Sequence, residues 1–242
     1  MSSVYHDSIS TIINAVRAAL SEQPVLRGIS AAKQTSFALD LALIALGCRC
    51  AWLVDVTVVA DAEQVYDSLL RTLRQFPICS NPRPNNPFFV NKTKWRASVD
   101  EVHFVHLGRD PQLLPRPPLD VLAALQALTY NPPTLPPGLE PHTIIPLAGV
   151  LLGYPVAYVP DADGAFLAQA SLDVFACSVR APTWEHPFLK FSCPAVLAAT
   201  HPELAPTRIA ASLKTRFEPR LQELGLGLVV KHSTEIVDRV AL

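Results

Sequence analysis

Residues 142–160, HTIIPLAGVLLGYPVAYVP, form the longest continuous apolar run in the chain, and the run changes character halfway along. Ile144 to Leu152 reads as a buried helix, whereas Tyr154 to Val159 alternates and is rich in Tyr and Val, as a strand core is. Gly153 and Pro155 punctuate the change. Small residues at Ala148, Gly149 and Gly153 let such a helix lie close against a sheet, which would bury the segment on nearly every side. A segment of this kind is core rather than chemistry, and the rest of the chain has to be arranged around it.

On either side of it, helical and strand patterns interleave without a strict βαβ alternation. Ile9, Ile12, Ile13, Val16 and Leu20 recur at helical spacing, and a second helix is expected over 31–46 with Phe37, Leu41 and Ile44 inward and Gly47 at its end. Cys50 to Val59 reads as a central strand, and Ala62 to Phe76 as an amphipathic helix. The segment from Pro77 to Asn91 holds four prolines and four asparagines and reads as a long irregular loop. Lys92 to Val99 and Glu101 to Leu107 read as strand. A short helix follows at Leu119 to Leu128, with Val121, Leu122, Leu125 and Leu128 inward. Past the central run, strands are expected at 166–180, 186–192 and from Leu226 onward, with a long helix over Thr207 to Leu224 that Pro219 should kink. The expected fold is α/β or α+β, a single mixed sheet of about five to seven strands flanked by helices. One globular domain over 1–242 accommodates it, with the Pro-rich connector 131–141 as the candidate internal division.

The 23 prolines in 242 residues cluster between periodic segments, which points to stiff loops rather than disorder. A formal charge of −1 gives no general attraction to polyanions or anionic membranes, so nucleic acid is an unlikely partner. Residues 37–60 are apolar enough to suggest a membrane span until Asp40, Arg49 and Asp55 interrupt them. Five cysteines at irregular spacings fit reduced thiols in a cytoplasmic or nuclear compartment, and the N-terminus lacks the pattern of a secretory signal.

Two groups of residues are candidates for chemistry or binding. Asp55 interrupts an apolar strand, where an unpaired carboxylate is costly; it is either an acid at the edge of a sheet or a carboxylate held by backbone N–H groups or a cation. In a strand, Glu101 and His103 share a face while His106 points the other way, so the pair could orient an imidazole for acid/base work but the two histidines could not share a metal. The second group, Lys92, Lys94, Trp95 and Arg96, combines cations with an aromatic ring after the Pro/Asn-rich loop; it reads either as a macromolecule-binding cluster or as a half-buried strand with a solvated face. Neither a metal site nor a cofactor site is expected. Cys48-x-Cys50 lacks the spacing and the second pair of a zinc knuckle. No GxxxxGK[ST], GxGxxG or GxSxG occurs.

Three stretches in order, LVDVTVVADAEQVYDSLLRTL, LLGYPVAYV and DVFACSVRAPTWEHPFLKFSCP, resemble an uncharacterised eukaryotic family whose human member is known as an open reading frame on chromosome 1. The LLGYPV segment and the PFLKFSCP element are its most specific parts. The resemblance implies no activity, ligand or catalytic residue. From the residues themselves, the first expectation is a non-catalytic intracellular protein that binds a macromolecule, such as a protein partner, through the region from Pro77 to Arg96. The alternative is an enzyme or small-molecule binder in which Asp55, Glu101 and His103 converge at a sheet edge.

Overall fold

The computed structural model describes residues 2–23, 30–54, 62–81, 88–91, 93–94, 99–108, 110–128, 136, 138–161 and 168–239. The apolar run at its centre divides as the sequence predicts. Helix α5 (Pro141–Leu152) is followed by strand β6 (Val156–Pro160), and Gly153 between them adopts φ +80°. Gly153 N–H donates to Val150 O at 3.0 Å and Tyr154 N–H to Gly149 O at 2.9 Å, the paired bonds of a Schellman turn. A Cβ on Gly149 would stand 3.0 Å from Ala157 Cβ, so glycine is what lets α5 lie directly on β6.

The remaining elements are α1 (Ser2–Glu22), α2 (Ala31–Ala45), β1 (Ala51–Leu53), α3 (Ala62–Thr72), β2 (Ile78–Asn81), β3 (Phe88–Asn91), β4 (His103–Leu107), β5 (Gln112–Leu113), α4 (Leu119–Ala127), β7 (Ala168–Arg180), β8 (Glu185–Pro194), α6 (Pro206–Glu223) and β9 (Gly227–Arg239). The fold is mixed α/β. In place of the single sheet of five to seven strands expected from the sequence, the described residues form three sheets of three strands, in the orders β1-β3-β2, β5-β4-β6 and β8-β7-β9. The first and third are antiparallel throughout, whereas β4 and β6 run parallel, with β5, α4 and α5 in their connection.

Strands β2 and β3 arise within the stretch that the sequence suggested was an irregular loop. Phe88, Phe89 and Val90 are all buried, and Phe89 meets Trp52 and Tyr66 in an aromatic cluster. Four apolar or amide residues suffice for a buried strand here because both faces are covered. The expected strand over Lys92 to Val99 is a turn at Thr93 and Lys94; Lys92 and the residues from Trp95 to Ser98 lie outside the described ones. The strand expected to begin at Glu101 begins instead at His103, after a 3-10 turn over Val99–Glu101. Leu122, expected inward on α4, is exposed. Helix α6 continues through Pro219 to Glu223.

One hydrophobic cluster runs from Ile9 on α1 through α2, α3 and the third sheet to Leu221 on α6; a second, smaller one joins α4 and α5 to Ala51, Phe88, Val90 and Phe104. Strand β8 carries a bulge opposite Cys177 and Ser178, where Cys177 pairs with Leu189 and Ser178 with Pro187, leaving Phe188 as the extra residue. The bulge reverses the phase of burial, from His186 and Phe188 before it to Leu189, Phe191 and Cys193 after it.

Candidate functional site

Helix α2 is apolar around nearly its whole circumference, and Asp40 lies in its buried stretch. A carboxylate placed there requires a cation, because desolvation without a partner costs several kcal/mol. Arg49, just past the helix, supplies it: Gly47 at φ +71° turns the chain back, with Gly47 N–H to Ile44 O at 3.0 Å and Cys48 N–H to Leu43 O at 2.8 Å. Arg49 Nη1 then donates to Asp40 Oδ1 at 2.5 Å. The pair is deeply buried, Arg49 being 5% and Asp40 7% exposed. Burial pushes the pKa of Arg49 down and the adjacent Asp40 carboxylate opposes that shift. The guanidinium also lies 5.8 Å from the centre of the Phe188 ring, the side chain that the β8 bulge inserts.

His186 of β8 completes the cluster. Its Nε2 stands 3.3 Å from Asp40 Oδ1, yet out of line for a hydrogen bond. Six polar or charged residues are buried among the described ones. Four are satisfied: Asn91 donates to Ile44 O, Thr143 donates to Asp120, Asp173 accepts from Thr234 and pairs with His232, and Asp40 accepts from Arg49. Arg49 Nε and His186 Nε2 have no hydrogen-bond partner among the described residues. Buried polar groups are overwhelmingly paired, so two orphans in one three-residue cluster single it out. The third orphan is the hydroxyl of Tyr66, whose ring stands edge-on to Phe89.

Asp40 and Arg49 of this cluster line a half-open cleft of about 440 Å³, within the range of small-molecule sites. Ser36 and Asp40, one turn apart on α2, form one wall together with Arg49; Trp52 and Leu53 of β1 and Tyr154 after α5 form the second; Ala176 and the stretch from Pro187 to Lys190 close the third. Two walls are held by α6. Arg216 Nη1 donates to Gly153 O at 2.7 Å and Arg220 Nε donates to Leu46 O at 2.8 Å, so arginines four residues apart satisfy the terminal carbonyls of α5 and α2.

Of the residues that the sequence singled out, the described ones, Glu101, His103 and Lys94, do not line this cleft. Glu101 is exposed and its Oε2 accepts from Arg216 Nε at 3.0 Å and Nη2 at 2.7 Å. His103 is half-buried; desolvation lowers its pKa, Glu203 opposes the shift, and His201 reinforces it. Glu101 and His103 therefore answer to different elements, because the strand that was to align them starts only at His103. Asp55, Lys92, Trp95 and Arg96 lie outside the described residues. Lys94 is exposed, with its side chain against Gly47 at the C-terminal end of α2, a favourable place for a cation. Asp40 and Arg49 had left a signal, as opposite charges nine residues apart in an apolar stretch. His186 had left none.

Among the described residues no group of three or more His, Cys, Asp or Glu is placed to hold a metal ion. None of the five cysteines forms a disulfide, and burial raises the thiols of Cys48, Cys177 and Cys193 to about 12. No described helix is long and apolar enough to cross a membrane. Fold and site together define a mixed α/β protein, with three small sheets and six helices among the described residues and a cleft whose wall is charged and under-bonded. Comparison with protein-family models, curated proteins and solved structures finds no match to the chain.

Proposed function

We propose that the chain is a small-molecule-binding protein whose ligand site is the cleft between α2, β1, α5 and the third sheet. The observation that carries this reading is the coincidence of the opening with Arg49 and Asp40, a buried ion pair whose Arg49 Nε has no hydrogen-bond partner among the described residues, with His186 behind it at 3.3 Å from Asp40. A cluster kept for stability alone would be expected to satisfy itself, since a half-satisfied network is worse than an apolar one. The test is a metabolite library screened by thermal shift against the protein and against Ala176→Phe, which fills the cleft from β7. Compounds that stabilise the protein and not the filled variant support the reading; hits that survive Ala176→Phe, or no hits at all, remove it.

A non-catalytic protein that binds a protein partner through Lys92, Lys94, Trp95 and Arg96 is the second proposal. Of its residues only Lys94 is described, and its exposure is the observation in favour. Loss of partner recovery in a folded Trp95→Ala variant would favour it over the cleft. The odd number and irregular spacing of the five cysteines support an intracellular, reducing compartment, and the modest net charge weighs against nucleic acid as the partner.

A further inference from the structure

Resting on the reading of the cleft as a ligand site, we infer the class of its occupant: a small carboxylate or phosphate ester, the anionic group carried on a flat apolar body. The Arg49 guanidinium has five N–H donors, and its only hydrogen bond among the described residues is Nη1 to Asp40. One carboxylate oxygen is thus set against a guanidinium built to grip two, and Asp40 has a second claimant in His186 at 3.3 Å. Lys190, exposed at the rim, adds a second cation, and no described carboxylate lies within ion-pair distance of it. The lining therefore sets two cations against one carboxylate that is already engaged, which favours an anionic ligand and disfavours an amine or a metal cation.

The rest of the wall calls for a flat apolar body. Trp52, Tyr154 and Phe188 present rings from three different elements. Each ring is fixed by another: Trp52 edge-on to Phe37 at 4.8 Å, Tyr154 stacked on Phe191 at 5.5 Å, and Phe188 edge-on to Phe217 at 5.2 Å. Rigid aromatic walls select planar ligands at little entropic cost. Arg49 Nε is covered, so the guanidinium turns as the anion enters and exchanges part of its bond to Asp40 for the ligand. His186, beside the same carboxylate oxygen, is placed to take up what Arg49 releases.

The experiment titrates the full chain with four probes, phenyl phosphate, benzoate, benzyl alcohol and inorganic phosphate, read by calorimetry and by the Trp52 indole N–H resonance, which Trp52→Phe assigns. Phenyl phosphate or benzoate is expected to move the Trp52 signal and to bind about tenfold or more tighter than benzyl alcohol. Whichever of the two binds more tightly identifies the head group. Lys190→Met, an exposed change that leaves the core intact, is expected to weaken that anion about three- to tenfold. The anion inference is overturned if benzyl alcohol binds as tightly, if Lys190→Met changes nothing, or if no probe moves the Trp52 signal. Inorganic phosphate binding as tightly as phenyl phosphate would remove the flat body. None of these results bears on the cleft as a ligand site, which the library screen and Ala176→Phe decide separately.

Discussion

Arg49 and Asp40 show at the scale of single residues why a buried charge is hard to remove alone. Among the described residues, replacing Arg49 by Leu leaves the buried Asp40 carboxylate with His186 as its one basic neighbour and without a hydrogen bond. The expected loss of stability is about 3–5 kcal/mol by chemical denaturation, and the double change Asp40→Leu with Arg49→Leu should recover most of it, because neither charge then remains to be solvated. Equal losses in the single and double variants would refute that account. His103 makes a pH-dependent prediction. Its pKa in the folded protein lies below the ordinary 6.5, chiefly through burial, so the unfolded chain takes up the proton first as pH falls. Stability should decline as pH drops through that value and level off once the folded state is protonated. His103→Gln should flatten the trend between about pH 7.5 and 5.5 in urea midpoints, and an unchanged slope would place its origin in other groups.

At the scale of elements, the local pattern was most legible where it was strongest. The α5–β6 segment was readable because an apolar run, a glycine and a proline occur in the order in which helix, turn and strand need them. Its contact follows from one residue. Gly149→Val is expected to cost about 1–3 kcal/mol, since the added carbons meet Ala157, and Ala157→Gly should return part of that; full tolerance of valine would mean that α5 can lift off β6. Strands β2 and β3 were hidden because proline and asparagine dominate the stretch that contains them, while burial of Phe89 is settled by partners on α2, α3 and β1 and that of Phe88 by the cluster of α4 and α5. In β8 a single alternation could not be followed from His186 to Cys193, because the bulge at Phe188 shifts the phase midway.

For the whole molecule, most helices and strands could be read from the chain, whereas their association could not. Sheet membership depends on pairings such as β7 with β9, joining 168–180 to 227–239, and no local period records them. The cleft was illegible for the same reason: it exists only where α2, β1, the end of α5 and β8 converge, although Asp40 and Arg49 already stood out as charges in an apolar stretch. What keeps two of these walls in place is the pair of arginines on α6, and their arrangement has a consequence for how the molecule breathes. Amide exchange should report it: Arg216→Ala should speed exchange at Tyr154 far more than at Cys48, and Arg220→Ala the reverse, with no change at either site showing that the bonds carry no weight. With both arginines present, neither helix end can fray without parting from α6, so the mouth of the cleft opens as one cooperative unit whose rate is set by a helix that does not line it.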